Sequence, residues 1–512
     1  MKMPRIALAC ITASMSLTVL PTGVAGAAST DPPSGRQPGA SMSPLAWTSC
    51  GDGYQCAPAR VPLDYGTATG EELTLDLRRW PAAAPAERIG TLFVYADGPG
   101  RSGWDRVRSF AATSPPEIRD RFDIVGFDPR GVRRSGQVSC LDGPAYRGQW
   151  AQVSTGGGPE DLHTTVRLAR QWNTACETNS GGMLPYVGAE AQARDLDVLR
   201  SAVGDEKLTF FGEGYATYVG TVYANLFPER TRALVLDAGY DPVKYARDPY
   251  TYDYAQYRAT DTALHRFLDW CAATPERCAF AGAGQSADGL AVKVRTMLGA
   301  LDAKPLRDSA GAVSVNGATM LSELTYRLNG GTRRWAALGT DLHRAESRTG
   351  PLMYTVTDAD AAFTAANVAV ECADRAYPGS SYDLKARLAQ AAADFPLTAP
   401  GRVYGPPAVD QAHAAACTQW PAARRSRYTG SFEAVDSAPI LVVGTTGDPD
   451  TPYEGSVALS RILRNGHLLT WEGEGHTARG RSTCAGGHLY AYLLRLTLPP
   501  HGTVCRDAPI QP

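Results

Sequence analysis

At 512 residues the chain is too long for one small core, and 44% hydrophobic residues with a formal net charge of -2 describe an ordinary globular protein. The near-neutral balance offers no basic excess to point to nucleic acid, and no acidic run suggests a solvating tail. One large domain with a substantial insertion, or two domains, is expected.

The N-terminus reads as a secretory signal peptide: Lys2 and Arg5 precede an apolar run from Ile6 to Leu20, then the A-x-A pattern Ala25-Gly26-Ala27, with cleavage expected after Ala27. That run is short and no later stretch is long enough to cross a bilayer, so a secreted chain without a membrane span is expected. Cys10 lies inside the apolar run, which argues against a lipid anchor. Its loss with the signal leaves ten of the 11 cysteines, an even number that favours disulfides in an exported chain over metal or redox chemistry. Pairing between neighbours is expected: Cys50 with Cys56, Cys140 with Cys176, Cys271 with Cys278, Cys372 with Cys417, and Cys484 with Cys505.

Residues 28–44 are rich in Ser, Pro and Gly and read as a flexible leader, with order beginning near Trp47. From 45 to 242 strands alternate with helices. Leu73–Leu77 alternates apolar and polar residues, Thr91–Tyr95 is a buried strand entering the turn Asp97–Gly103, and Phe122–Phe127 is another ending in Asp128–Gly131. Ala193, Leu196, Leu199 and Val203 recur at helical spacing, with Gly204 as a C-cap. Leu208–Phe211 then runs through a tight turn at Gly212-Glu213-Gly214 into a helix, whose small residues Ala216, Gly220 and Ala224 let it lie close to the sheet; Ala233–Leu236 is the next strand. This alternation implies a mostly parallel sheet covered on both faces. From 243 to 425 the texture becomes helical, as in Thr262–Cys271 and Leu290–Leu298, with no obvious buried strand, and reads as an inserted cap. The core resumes over 426–512 with Pro439–Gly444, His467–Trp471 and a helix around Leu489–Leu496.

A strand, then a tight turn, then a helix is the setting of the nucleophile elbow of α/β-hydrolases, G-x-S-x-G, with an acid after a late strand and a histidine after the last. Asp448 and His476 fall at those two places, with Asp450 a weaker alternative for the acid; an aspartate there would hold the imidazole in one tautomer. The bland alternatives are a turn-capping aspartate and an ordinary loop histidine. The glycine-rich turn suggests an oxyanion hole from the N–H groups of Gly98 and Tyr215.

Taken together, Asp97–Gly103, Phe122–Gly131, Ala193–Val203, Tyr215–Asp241, Glu371–Asp374, Cys417–Pro421, Gly447–Tyr453 and Gly475–Thr477 make the chain resemble the secreted bacterial tripeptidyl aminopeptidases and their prolyl-aminopeptidase relatives. The resemblance implies an α/β-hydrolase fold with a helical cap, a peptide or small-molecule ligand and no cofactor. It also suggests Glu371, Asp374, Asp97 and Glu213 as candidates to meet a substrate's α-amino group, a buried ion pair or helix cap being an equal reading of the first two. Three departures stand out: Gly214 occupies the serine's place, Ala216 the elbow's last glycine, and Asp97 a glycine beside the oxyanion hole. Loss of the serine from such a triad costs about a millionfold in turnover, so normal peptidase activity is not expected. Ser102 and Ser135 are not at an elbow, and direct attack by water with His476 as base is the slow alternative.

Two other chemistries fit the sequence less well. Gly212-Glu213-Gly214 begins a dinucleotide fingerprint with Asp237 as ribose ligand, but Thr217 stands at its third glycine. The eight histidines are scattered without metal-ligand spacing, so no metal is expected. Nothing in the sequence sets an oligomeric state.

Overall fold

Alternate residues of the central strands feed two separate hydrophobic cores, as a sheet covered on both faces requires. Leu92, Val94, Ile124, Phe211, Val235, Leu441 and Val443 pack on one side. Their neighbours Phe93, Tyr95, Val125, Phe127, Phe210, Leu234, Leu236 and Val442 pack on the other. The computed structural model describes residues 44–509 except 68–69, 96, 157–158, 350–355, 380 and 410–411. The expected signal peptide with its cut after Ala27, and the leader up to residue 43, lie outside the described residues.

The strands are β1 (Thr48–Ser49), β2 (Gln55–Pro62), β3 (Glu72–Trp80), β4 (Gly90–Tyr95), β5 (Phe122–Phe127), β6 (Leu208–Glu213), β7 (Thr231–Asp237), β8 (Ile440–Gly447), β9 (Gly466–Glu474) and β10 (Val504–Cys505). They form one 10-stranded sheet in the order β1-β2-β3-β5-β4-β6-β7-β8-β9-β10. Pairing is antiparallel from β1 to β3 and between β3 and β5, and parallel across the rest. This is an α/β-hydrolase fold.

The helices used below are α1 (Gly103–Thr113), α2 (Pro159–Ser180), α3 (Ala189–Ala202), α4 (Tyr215–Leu226), α5 (Pro249–Ala273), α6 (Gly317–Leu328), α7 (Asp358–Asp374) and α8 (Thr483–Arg495). Residues of α1 and α8 cover one sheet face, and those of α3 and α4 the other. In α4 the small-residue stripe is a steric necessity: a Cβ on Gly220 would lie 2.8 Å from Leu236 Cδ2 and 2.9 Å from Phe210 Cε1. All five neighbour disulfides are formed. Among the described residues no helix is long and apolar enough to cross a membrane.

Between β7 and β8 the chain is helical with its own core, built on Leu264, Phe267, Leu268, Met297, Met320 and Leu324. Two findings differ from the sequence reading. A short hairpin, Leu306–Arg307 against Val313–Val315, lies within the helical stretch and buries Val315. In addition, α2 and the helix Gly143–Trp150, which precede β6 in sequence, pack against the inserted helices. Tyr146 Oη donates to Pro407 C=O at 3.0 Å, Gly143 N–H to Asp358 Oδ1 at 2.9 Å, and Asn173 Nδ2 to Ala416 C=O at 2.9 Å. β2 went unread because Pro58 and Pro62 interrupt it. Both are tolerated because, among the described residues, β1 pairs only with residues 55–56, which leaves the rest of that side without a ladder.

Candidate active site

The loops that leave the carboxyl ends of β4, β6, β8 and β9 converge, the place where open α/β sheets bind ligands. After β6 the chain turns at Gly214, at φ +54° and ψ -121°, and enters α4 directly. The positive φ suits glycine and would strain any other residue. Hydrogen bonds fix the turn: Gly214 N–H donates 3.0 Å to Asp237 C=O, and Thr217 Oγ1 donates 2.6 Å to Gly214 C=O.

After β8, Asp448 is held by its own loop. Its carboxylate accepts the N–H groups of Asp450 and Thr451, both at 2.9 Å, and Thr451 Oγ1 at 2.9 Å. The loop after β9 presents His476, whose Nδ1 donates to Asp448 Oδ2 at 3.0 Å. Thr477, next in the chain, is held at φ +69°, a strained value for a β-branched residue. Asp237 anchors this loop by accepting the N–H groups of Ala478 and Arg479, at 3.1 and 2.9 Å. Burial and the nearby Glu213 push its carboxyl up to about 7. Asp237 is therefore not available as a ribose ligand, which corrects the dinucleotide alternative. Its anchoring role was missed in the sequence, where it is simply the last residue of a strand.

The loop after β4 brings in Asp97. Its Oδ2 lies 3.2 Å from His476 Nε2, so the imidazole is bracketed by two carboxylates. A Cβ built on Gly214 would fall far inside contact distance of Asp97 Oδ1, 3.2 Å from Asp97 Cγ and 3.4 Å from His476 Nε2. The Asp97 carboxylate thus fills the space a side chain at 214 would need.

Burial alone would drive His476 toward its neutral form, but Asp448 and then Asp97 raise its pKa well above the usual value. For Asp97, burial pushes upward while the His476 charge and hydrogen bond outweigh it, bringing the carboxyl down to about 2. Histidine NMR at pH 7 is expected to find His476 protonated, and Asp97→Asn to lower its pKa; an unchanged titration would show that Asp97 does not hold the proton. Linkage has two signs here. The raised imidazole contributes stability in full below about pH 6.5, lost as pH rises through the folded value. The depressed Asp97 contributes in full above about pH 3.8, lost as pH falls through 2. The pair is intact between those limits.

The other sequence candidates fall as follows. Gly98, at φ +76°, lines the cleft beside Asp97. Tyr215 opens α4 and sends its hydroxyl away, donating to Asp374 Oδ2 at 2.7 Å. Asp450 accepts from Gln256 Nε2 at 2.9 Å, and burial raises its pKa. Glu213 is buried in an ion pair with Arg106.

Glu371 and Asp374 take the second of their two readings, an ion pair and a helix cap, and not that of an amine site. Both are buried, Glu371 2.9 Å from Arg375 and Asp374 accepting Ala189 N–H at 2.8 Å, the first N–H of α3. The α7 face that carries them points into the protein, so neither is open to a ligand's amine. Ser102 caps α1, accepting Asp105 N–H at 3.1 Å, and Ser135 accepts Asp76 N–H at 3.2 Å. Cys484, His488 and Cys505 cluster closely enough for a metal, but the two cysteines form a disulfide and leave only the histidine as ligand.

A cleft of about 1150 Å³ opens over the site, lined by Asp97, Gly98 and His476 below and by Tyr326, Asn329 and Phe363 above. A side cavity of about 200 Å³ continues beneath the inserted helices past Trp150 and Glu323, sharing Tyr326, Phe363 and Asp450 with the cleft.

A profile for TAP-like proteins matches residues 404–505, the segment that holds Asp448 and His476. Serine protease Hip1 of Mycobacterium tuberculosis is 31% identical over 497 residues, covering 90% of this chain and 91% of that protein. The tripeptidyl aminopeptidase of Streptomyces lividans is 27% identical over 91% of this chain and 88% of its own length. Carboxylesterase B of M. tuberculosis is 29% identical over 93% of both. With sequence likeness along nearly its whole length and this sheet order, the chain belongs to the TAP-like family of α/β-hydrolases that includes Hip1 and the tripeptidyl aminopeptidases.

Proposed function

We propose that Gly214 stands where the nucleophilic serine of this family would stand, and that the chain is an exported relative that has lost serine-dependent peptide cleavage while keeping a cleft for a peptide or small ligand. One observation carries this reading. The side-chain space at 214 is taken by the Asp97 carboxylate, so both the hydroxyl and the room for it are missing. The Asp448–His476 pair supports descent from a triad. Its imidazole, however, is held protonated by two anions and is a poor base for water. A carboxylate beside Gly98 also opposes the negative charge that acyl transfer builds. Five disulfides suit the export expected from the leader sequence.

The purified chain is expected to leave aminoacyl and tripeptidyl chromogenic substrates uncleaved, about a millionfold below a working triad, and to resist labelling by a fluorophosphonate. Turnover at the rate of an intact serine enzyme would overturn the reading. With Glu371 and Asp374 buried and Glu213 paired with Arg106, the carboxylates left to receive a ligand's amine include Asp97 in the cleft and Glu323, Asp360 and Asp450 in the side cavity.

A further inference from the structure

Beyond the loss of peptide cleavage, we infer that Asp97 serves as a carboxylate nucleophile in a rebuilt Asp97–His476–Asp448 triad, opening a strained cyclic ether such as an epoxide. The geometry is that of an activated nucleophile: Asp97 Oδ2 sits 3.2 Å from His476 Nε2, and His476 Nδ1 sits 3.0 Å from Asp448. The second oxygen, Oδ1, accepts no hydrogen bond from the described residues and points to the empty side of Gly214. About 34% of the Asp97 side chain is open, and it lines the large cleft. The group at the serine's position is thus an accessible anion backed by an imidazolium and a second carboxylate.

This arrangement selects the electrophile. Attack by a carboxylate on an amide or ester would give a mixed anhydride, which the departing amine or alcohol would recapture. A three-membered cyclic ether instead releases ring strain when a saturated carbon is attacked. In the first step a carboxylate oxygen of Asp97 bonds to a ring carbon, the ring C–O bond breaks, and the alkoxide takes the proton from His476 Nε2. The product is an Asp97 ester facing a neutral imidazole. Esterification removes one of the two anions that held the imidazole protonated, leaving His476 with Asp448 alone. In the second step His476 takes a proton from water as the water oxygen attacks Asp97 Cγ. The Cγ–O bond to the alkyl group then breaks, the departing alkoxide takes that proton, and the second proton of the water, left on the Asp97 carboxyl, passes to His476 Nε2 and restores the starting ion pair. The sum is epoxide plus water giving a diol, with one oxygen of water left in Asp97.

The tryptic peptide Ile89–Arg101 carries Asp97 as its only carboxylate side chain, so the test reads one residue. The full chain is incubated in 18O-water with 1,2-epoxy-3-(4-nitrophenoxy)propane, quenched, and digested in ordinary water for mass spectrometry. Diol formation with heavy oxygen in the side chain of this peptide is expected, as is an ester-bearing form of it when the wild-type reaction is quenched within the first turnover. Asp97→Asn is expected to lower diol formation by about 10⁴-fold or more. An unmodified, unlabelled Ile89–Arg101 peptide from the wild-type chain, or alkylation confined to other carboxylates, would overturn the inference, and that measurement needs no variant to fold. The outcome is separable from the previous reading: cleavage of a tripeptidyl substrate blocked by a fluorophosphonate would sink the loss of serine chemistry, whereas an inert Asp97 sinks only this one.

Discussion

Asp97→Gly combined with Gly214→Ser is expected to yield a chain that reacts with fluorophosphonates and cleaves tripeptidyl substrates at least about 10⁴-fold faster than the wild type. Gly214→Ser alone is expected to stay inert. The difference follows from the geometry at the turn, where any Cβ on residue 214 meets Asp97 Oδ1 and Cγ before it reaches His476. The single substitution must therefore displace a carboxylate that His476 binds as an ion, and it leaves an anion next to Gly98 where the reaction needs to place one. Removing Asp97 as well vacates the space, relieves the imidazole of one of its two anions and lets it act as a base. Asp448 keeps its hydrogen bonds from Thr451 throughout. Labelling of the single variant at the rate of the double one would show that Asp97 is a bystander.

The second large effect concerns stability. Arg375, 2% exposed, pairs with Glu371 Oε2 at 2.9 Å and with Asp253, donates to Pro249 C=O at 3.1 Å, and lies against the Tyr245, Tyr252 and Tyr377 rings. It joins α5 to the end of α7. Arg375→Met strands two buried carboxylates and is expected to cost about 3–5 kcal/mol in urea denaturation. Replacing the whole group, Arg375→Met with Glu371→Met and Asp253→Leu, is expected to recover most of that loss, because the penalty lies in the unpaired charges. An unaltered midpoint for the single substitution would mean that Glu371 is protonated and the ion pairs contribute little. Burial already pushes Glu371 up to about 7, so the cost should grow as pH rises above that value.

The sheet was readable because its central strands are continuous apolar runs, and the positions of Gly214, Asp448 and His476 followed from chain order along it. Asp97 was readable only as a residue out of place. That its carboxylate turns into the volume at Gly214 depends on how the loop after β4 is aimed, and no local pattern encodes that direction. The E-C-A-D stretch stayed open between an amine site and a buried ion pair or helix cap for a related reason. Glu371 and Asp374 are one helical turn apart on α7, so they share a face, but periodicity cannot say whether that face meets the cleft or Arg375 and Tyr215. β2 was hidden because its prolines satisfy the rule for an edge and break the rule for an interior strand.

The turn after α6 makes a structural commitment. Asn329 C=O accepts the N–H of His476, and Arg481, from the same loop as His476, donates to the carbonyls of Asn329 and Gly330 at 2.9 and 2.6 Å. The roof is stitched to the floor at the residue on which the chemistry turns, so it cannot lift like a hinged lid without dragging the imidazole out of line. Guests must therefore come and go through a standing doorway, and a chimera that borrows another relative's roof will keep its histidine seated only if residues 329–330 keep offering those two carbonyls.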